Sequence, residues 1–152
     1  MTKASKVIET LHGKSIATAE SCTGGLVGGA LTAVSGASVS YKGGIVSYQN
    51  EIKHRLLGVE EEVLSRFGAV SAPVAMAMAQ GARKVLEADY AVSVTGLAGP
   101  GGDEYGNSVG TVFVGFADEH GAVAEKFHFS GDRDAVRKLA VDAALEMILK
   151  RI

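Results

Sequence analysis

Three side chains able to attack an electrophilic carbon stand together at Ser21-Cys22-Thr23, immediately before Gly24-Gly25. A hydroxyl or thiol becomes a useful nucleophile when a neighbouring base takes its proton, and the target is then a carbonyl or amide carbon. Backbone N–H groups of Thr23 to Gly25, at the positive start of a helix, would hold the oxyanion that forms. The plainer reading is a Ser/Thr-capped helix start with no chemistry. The candidate base is Lys53, one residue past Ile52 near the start of a short helix, where a lysine does nothing for the helix dipole. It is either a solvated surface residue or a lysine turned toward a site, where burial lowers its pKa enough to act as a base. His12, His54, His120 and His128 have no metal-ligand spacing, and none falls in a segment that resembles a site, which disfavours a Ser-His-Asp triad. A serine with a lysine base fits better. Cys22 is a rival nucleophile, because thiolates form readily at helix N-termini.

The elements that must carry these residues follow from periodicity. Ser15-Ile16-Ala17-Thr18 is a short strand that runs into the Ser21 turn, and a helix follows from the paired glycines through Leu31. Gly43 to Tyr48 reads as a buried strand, and Glu51 to Leu57 as a short helix with Ile52, Leu56 and Leu57 inward. After a helix over Glu60 to Phe67, Ser71 caps a longer one with Pro73 in its first turn. Tyr90 to Thr95 is a strand that ends in the glycine-rich run Gly96-Leu97-Ala98-Gly99-Pro100-Gly101-Gly102. That run lacks dinucleotide-fingerprint spacing and leads into another strand, so it is a binding loop of a different kind or a flexible connector. Val109 to Ala117 and Ala122 to Phe129 form a hairpin about Asp118 to Gly121, and a last helix starts near Asp132. With an opening helix over Thr2 to Leu11, the pattern predicts a single α/β domain over residues 1–152. It is a three-layer α/β/α sandwich with a mixed, mostly parallel sheet of about five strands.

The unusual polar residues fall at strand ends: Ser21 and Thr23, Tyr48 and Asn50, Thr95 and Gly96. If those strands run parallel, their C-terminal ends share the edge where open α/β sheets bind ligands. Arg133, in the first turn of the last helix, is electrostatically awkward unless an anion binds there or Asp132 or Glu104 pairs with it.

Composition narrows the setting. The 152 residues are 47% hydrophobic and 21% charged with a net charge of -2, so no basic field marks a nucleic-acid partner. The lone Cys22 excludes an intrachain disulfide, and no apolar stretch is long enough to span a bilayer, which makes a cytoplasmic protein the expectation. Glycine is over-used, with 20 residues. Glycine- and alanine-rich helices suit close subunit packing, so a homo-oligomer is expected.

Five segments together carry a resemblance. Ala19-Glu20-Ser21-Cys22-Thr23-Gly24-Gly25, Tyr48-Gln49-Asn50-Glu51-Ile52-Lys53, Gly68-Ala69-Val70-Ser71, Thr95 through Gly102 and Gly131-Asp132-Arg133 resemble, in order, the CinA C-terminal domain family. The resemblance covers nearly the whole chain and implies hydrolysis of the carboxamide of nicotinamide mononucleotide to nicotinate mononucleotide and ammonia, without metal or other cofactor. It implies Ser21 as nucleophile and Lys53 as general base, with Thr23, Gly24 and Gly25 as oxyanion or substrate contacts. Tyr48, Asn50, Thr95 and Gly96 would shape the pocket, Ala98 and Gly99 would back it, and Arg133 would meet the phosphate. The alternative is a non-catalytic nucleotide- or phosphometabolite-binding module. One departure stands out: Ser108 occupies the place, just before Val109-Gly110-Thr111-Val112, where the family often has proline.

Overall fold

In the computed structural model, which describes residues 1–152, the Thr2 side chain accepts the Ser5 amide and opens α1 (Lys3–Leu11). The chain then enters β1 (Ile16–Glu20), every residue of which is buried. It continues through α2 (Leu26–Thr32), a 3₁₀ turn at Ala37–Val39 and β2 (Tyr41–Val46). Three helices follow, α3 (Asn50–Leu57), α4 (Glu61–Phe67) and α5 (Ala72–Val85), before β3 (Tyr90–Gly96). The hairpin β4 (Thr111–Asp118) and β5 (Gly121–His128) leads to α6 (Arg133–Arg151).

The five strands lie in the order β2-β1-β3-β4-β5. β1 pairs in parallel with both β2 and β3, whereas β3–β4 and β4–β5 are antiparallel. The sheet is therefore mixed and mostly parallel in strand direction, as expected: β4 alone runs against the other four, and it joins β5 by a tight hairpin that cannot connect parallel neighbours. β2 also departs from expectation. It is an edge strand of alternately half-buried and exposed residues, not a buried one. Its Gly44 is needed nonetheless, since a Cβ there would collide with the Thr18 hydroxyl, which is hydrogen-bonded to the Tyr41 hydroxyl at 2.7 Å.

From β1 the chain crosses to one side to reach β2, and from β2 it returns past β1 to reach β3. Right-handed crossovers in opposite directions put their helices on opposite faces. One apolar core accordingly packs Val7 and Leu11 of α1, Val27 and Leu31 of α2, and Val136, Ala140 and Ile148 of α6 against Val92, Val94 and Val114. The other packs Leu57, Leu64, Val74, Met78 and Ala82 of α3 to α5 against Ala17, Ala19 and Ala91. The crevice at this reversal, beyond the C-terminal ends of β1, β2 and β3, is where ligands bind in such sheets.

Candidate active site

Side chains alternate faces along a strand. Ala17 and Ala19 face the α3–α5 core, so the next side chain of that parity, Ser21, faces it too. The turn that carries Ser21 is pinned by its amide, which donates to the Val94 carbonyl at 2.9 Å, and the Ser47 amide donates to the Glu20 carbonyl at 2.8 Å. The ends of the three parallel strands are thus stitched together where Ser21 emerges.

Lys53 comes up from α3 beneath this turn. It is only 1% exposed, and its Nζ donates to Ser21 Oγ at 3.1 Å, to the Ser47 carbonyl at 2.6 Å and to the Tyr48 carbonyl at 3.2 Å. No carboxylate pairs with it. Burial pulls the amine from 10.5 down to about 8. An ammonium has three donors and finds three acceptors here. The neutral amine keeps two N–H groups, which the two carbonyls can take, and its lone pair then faces the Ser21 hydroxyl. Of the two roles the sequence allowed for Lys53, the structure places it inward rather than in solvent.

Cys22 stands beside this pair but is 6% exposed, and burial pushes its thiol up to about 11. At neutral pH it is a thiol, not the thiolate that nucleophilic attack needs. The four histidines lie elsewhere: His12 caps α1, His54 contacts the Val59 carbonyl and Glu61, His120 sits in the hairpin, and His128 meets Ser108.

The start of α2 differs from the expected open anion site. Glu20, the last residue of β1 and 2% exposed, turns its carboxylate into it. Oε1 accepts from Thr23 Oγ1 at 2.6 Å, from the Gly25 amide at 3.2 Å and from the Val27 amide at 2.9 Å, and Oε2 accepts from the Gly28 amide at 3.0 Å. The Gly24 amide donates to the Ser21 carbonyl at 3.0 Å. The expectation that Gly24 and Gly25 amides serve an oxyanion is corrected: both are already used, as is the Thr23 hydroxyl. The Cys22 and Thr23 amides have no acceptor within the protein. Gly24 and Gly25, at φ +58° and +105°, supply the left-handed backbone that this tight turn requires.

The other expected residues divide. Arg133 opens α6 and reaches across the crevice, with Nη1 donating to the Gly99 carbonyl at 2.7 Å and Nη2 to the Tyr48 hydroxyl at 3.1 Å. It pairs with neither Asp132, which caps its helix by accepting the Ala135 amide, nor Glu104. Tyr48 and Asn50 are exposed on the turn from β2 into α3, and Tyr48 meets Arg133. Thr95 is a latch rather than a pocket contact: 1% exposed, it donates to the Ala69 carbonyl at 2.8 Å. Gly96 lies so close to Val112 and the Thr111 carbonyl that a Cβ would not fit, and buried Ala98 backs the loop.

Sequence reading missed Glu20 and Arg137. Arg137, one helical turn after Arg133, donates from Nε to the Cys22 carbonyl at 3.0 Å and from Nη2 to the Thr23 carbonyl at 3.5 Å. The available signal was a lone carboxylate ending an otherwise uncharged strand, and an i, i+4 arginine pair on one helix face.

The loop where the sequence departs from the family pattern is well anchored. Asp103 accepts the Tyr105 and Asn107 amides and the Asn107 side chain at 2.8–3.0 Å, and Tyr105 donates to the Ser65 carbonyl at 2.7 Å. Tyr105 and Asn50 line one open groove of about 520 Å³ beside α3 and α4.

Comparison with known proteins gives a consistent picture. The sequence model of the CinA C-terminal domain matches residues 2–152. The nicotinamide-nucleotide amidohydrolase PncC of Escherichia coli K12 is 47% identical over 138 residues, 90% of this chain and 84% of that protein. A CinA-like protein of Geobacter metallireducens is 46% identical over 140 residues; the match covers 92% of this chain but only 34% of that protein's length. Among solved structures, a competence-damaged protein (CinA) superfamily protein from Escherichia coli superposes with a TM-score of 0.96 at 35% identity, over 99% of this chain and 88% of that one. The competence/damage inducible protein CihA from Agrobacterium tumefaciens gives 0.93 at 39% identity, over 97% and 92%.

Proposed function

Because the chain belongs to the CinA C-terminal domain family, we propose that it hydrolyses the carboxamide of nicotinamide mononucleotide, yielding nicotinate mononucleotide and ammonia. The observation that carries this reading is Lys53 Nζ, buried and 3.1 Å from Ser21 Oγ, with two carbonyls occupying its other donors. The name and 47% identity of the PncC relative support the choice of substrate.

In the proposed reaction neutral Lys53 accepts the Ser21 proton as Oγ bonds to the carboxamide carbon. The carbonyl oxygen becomes an oxyanion, and the Cys22 and Thr23 amides are the donors of this turn left free to receive it. Collapse breaks the C–N bond, and the Lys53 ammonium returns its proton to the departing nitrogen, which leaves as ammonia. Water then attacks the Ser21 ester while Lys53 takes a proton from it. Breaking the ester restores the Ser21 hydroxyl and releases the carboxylate. Both carbonyls that grip Lys53 favour its charged form, so burial must outweigh them for the base to be available near neutrality.

Arg133 is the leading partner for the phosphate, since its guanidinium faces a carbonyl and a phenol rather than a carboxylate. Tyr48 and Asn50 border the same opening, and Thr95, Gly96, Ala98 and Gly99 hold the loop behind it. On this reading the protein works in pyridine-nucleotide recycling in the cytoplasm.

The test is ammonia release from purified protein given nicotinamide mononucleotide, beside Ser21→Ala and Lys53→Ala proteins whose folding is checked by circular dichroism. Release by wild type and near silence in both folded variants supports the serine–lysine reading. Binding without release by wild type would leave a nucleotide-binding module. Silencing by Cys22→Ala alone would move the nucleophile.

A further inference from the structure

The turn that presents Ser21 is gripped from both sides. On its inner side, Glu20 takes the Thr23 hydroxyl and the Gly25, Val27 and Gly28 amides. On its outer side, Arg137 takes the Cys22 and Thr23 carbonyls, and it lies close enough to Gly24 that an added Cβ would sit 3.4 Å from Nη2. A carboxylate only accepts and a guanidinium only donates. One therefore fixes the N–H groups of the segment and the other its C=O groups, in the two directions a turn can be held. Between these grips, Cys22 and Thr23 keep their carbonyls engaged and their amides unspent.

Resting on the reading of Ser21 as nucleophile, we propose that Glu20 and Arg137 are positioning residues for its reaction. They hold the Ser21–Gly25 turn so that the Cys22 and Thr23 amides point at the developing oxyanion. Neither reaches the amide itself. Glu20 is buried beneath α2, and Arg137 spends its donors on backbone carbonyls. Glu20 also fills the start of α2, which removes that helix end as a binding place for the substrate phosphate. Preorganised donors act because they need not move as charge develops. Loosening either grip should therefore slow the chemical step and leave substrate binding nearly intact.

The experiment compares wild type, Ser21→Ala, Glu20→Gln, Arg137→Ala and Arg137→Lys, each screened for a cooperative thermal transition. Ammonia release from nicotinamide mononucleotide gives kcat and KM. The rate at which phenylmethylsulfonyl fluoride labels Ser21, with loss of fluoride, gives a second readout that does not depend on the substrate. Misplacing a reacting group by a fraction of an ångström to one ångström costs on the order of ten- to a hundredfold. We expect kcat and labelling to fall by about that much in Glu20→Gln and Arg137→Ala, with KM within about twofold. Arg137→Lys, which keeps one donor, should recover part of the loss. If Glu20→Gln does not fold, the Arg137 pair decides. Unchanged kcat and labelling in folded Arg137→Ala would overturn the proposal, as would a raised KM at unchanged kcat, which would make Arg137 a substrate contact. A wild type that labels at Ser21 but releases no ammonia refutes the substrate while leaving the clamp to be judged by labelling. A wild type that does neither removes the nucleophile, and the clamp falls with it.

Discussion

The pH dependence of turnover tests the Lys53 assignment most sharply. An ordinary lysine ionises at 10.5, but burial beneath the β1–β2 edge brings Lys53 to about 8. The active form is the neutral amine, so the rate should follow its population. That population is about 10% at pH 7, half at pH 8 and about 90% at pH 9. Hence kcat/KM should rise about fivefold from pH 7 to pH 8, less than twofold more by pH 9, and then level. The second ionisation of the substrate phosphate is half complete near pH 6 and about nine-tenths complete by pH 7, so it hardly shapes the rise from pH 7 to pH 9. The assay is initial-rate ammonia release between pH 6 and pH 10, with protein stability checked at each end. A lysine near its ordinary value predicts a different curve, climbing tenfold per unit straight through pH 9. A profile that is flat from pH 7 to pH 9, or still climbing tenfold per unit at pH 9.5, refutes the argument from burial. A Lys53→Met protein whose residual rate kept the same rising limb would do so as well.

Other consequences are quicker to state. If Arg133 meets the phosphate as proposed, Arg133→Gln should raise KM by about tenfold or more with kcat little changed, which steady-state kinetics checks. Cys22→Ala should keep kcat within a few-fold of wild type in the same assay, since a buried thiol pushed up to about 11 supplies no thiolate at neutral pH. Ser47 Oγ is the one buried side-chain polar atom without a hydrogen-bond partner, so Ser47→Ala should leave stability to urea unchanged or raise it by up to about 1 kcal/mol. Thr95→Val strips the Ala69 carbonyl of its side-chain donor and should lower stability by about 1–3 kcal/mol in the same titration.

Much of the fold was legible because apolar periodicity and turn chemistry agree along the chain. Ser71 and Pro73 mark the start of α5, and Asp118 to Gly121 marks the hairpin. Strand order was not legible, since nothing local in β2 tells that it lies at an edge. The stretch reads as a buried strand, whereas its residues are alternately half-buried and exposed and Gly44 answers to the Thr18–Tyr41 pair below it. Of the site, Lys53 meets Ser21 and the Tyr48 carbonyl, and Arg133 meets the Tyr48 hydroxyl. Which donors of the Ser21 turn are spent and which are open was beyond reach. That depends on where the flexible side chain of Glu20 folds back, and Arg137 approaches from more than a hundred positions away in sequence. Thr95 misled for a related reason, because a polar residue at a strand end can serve a loop carbonyl as readily as a ligand.

The two helix starts that border the crevice each hold one of the chain's own acids. Glu20 takes the amides of α2, and Asp132 takes the Ala135 amide of α6. An anion approaching this face therefore finds part of each helix start already occupied, and on the proposed reading side-chain charge carries much of its recognition. Arg133 is suited to supply it, since its donors rest on the Gly99 carbonyl and the Tyr48 phenol, partners that leave its charge uncancelled and that a phosphate can displace. The same division keeps opposite demands apart. On the proposed reading the phosphate calls for positive charge at the mouth, while Lys53 below has to be neutral to accept a proton. On that reading a guanidinium at the rim would bind, and an amine sealed against two carbonyls would do the chemistry.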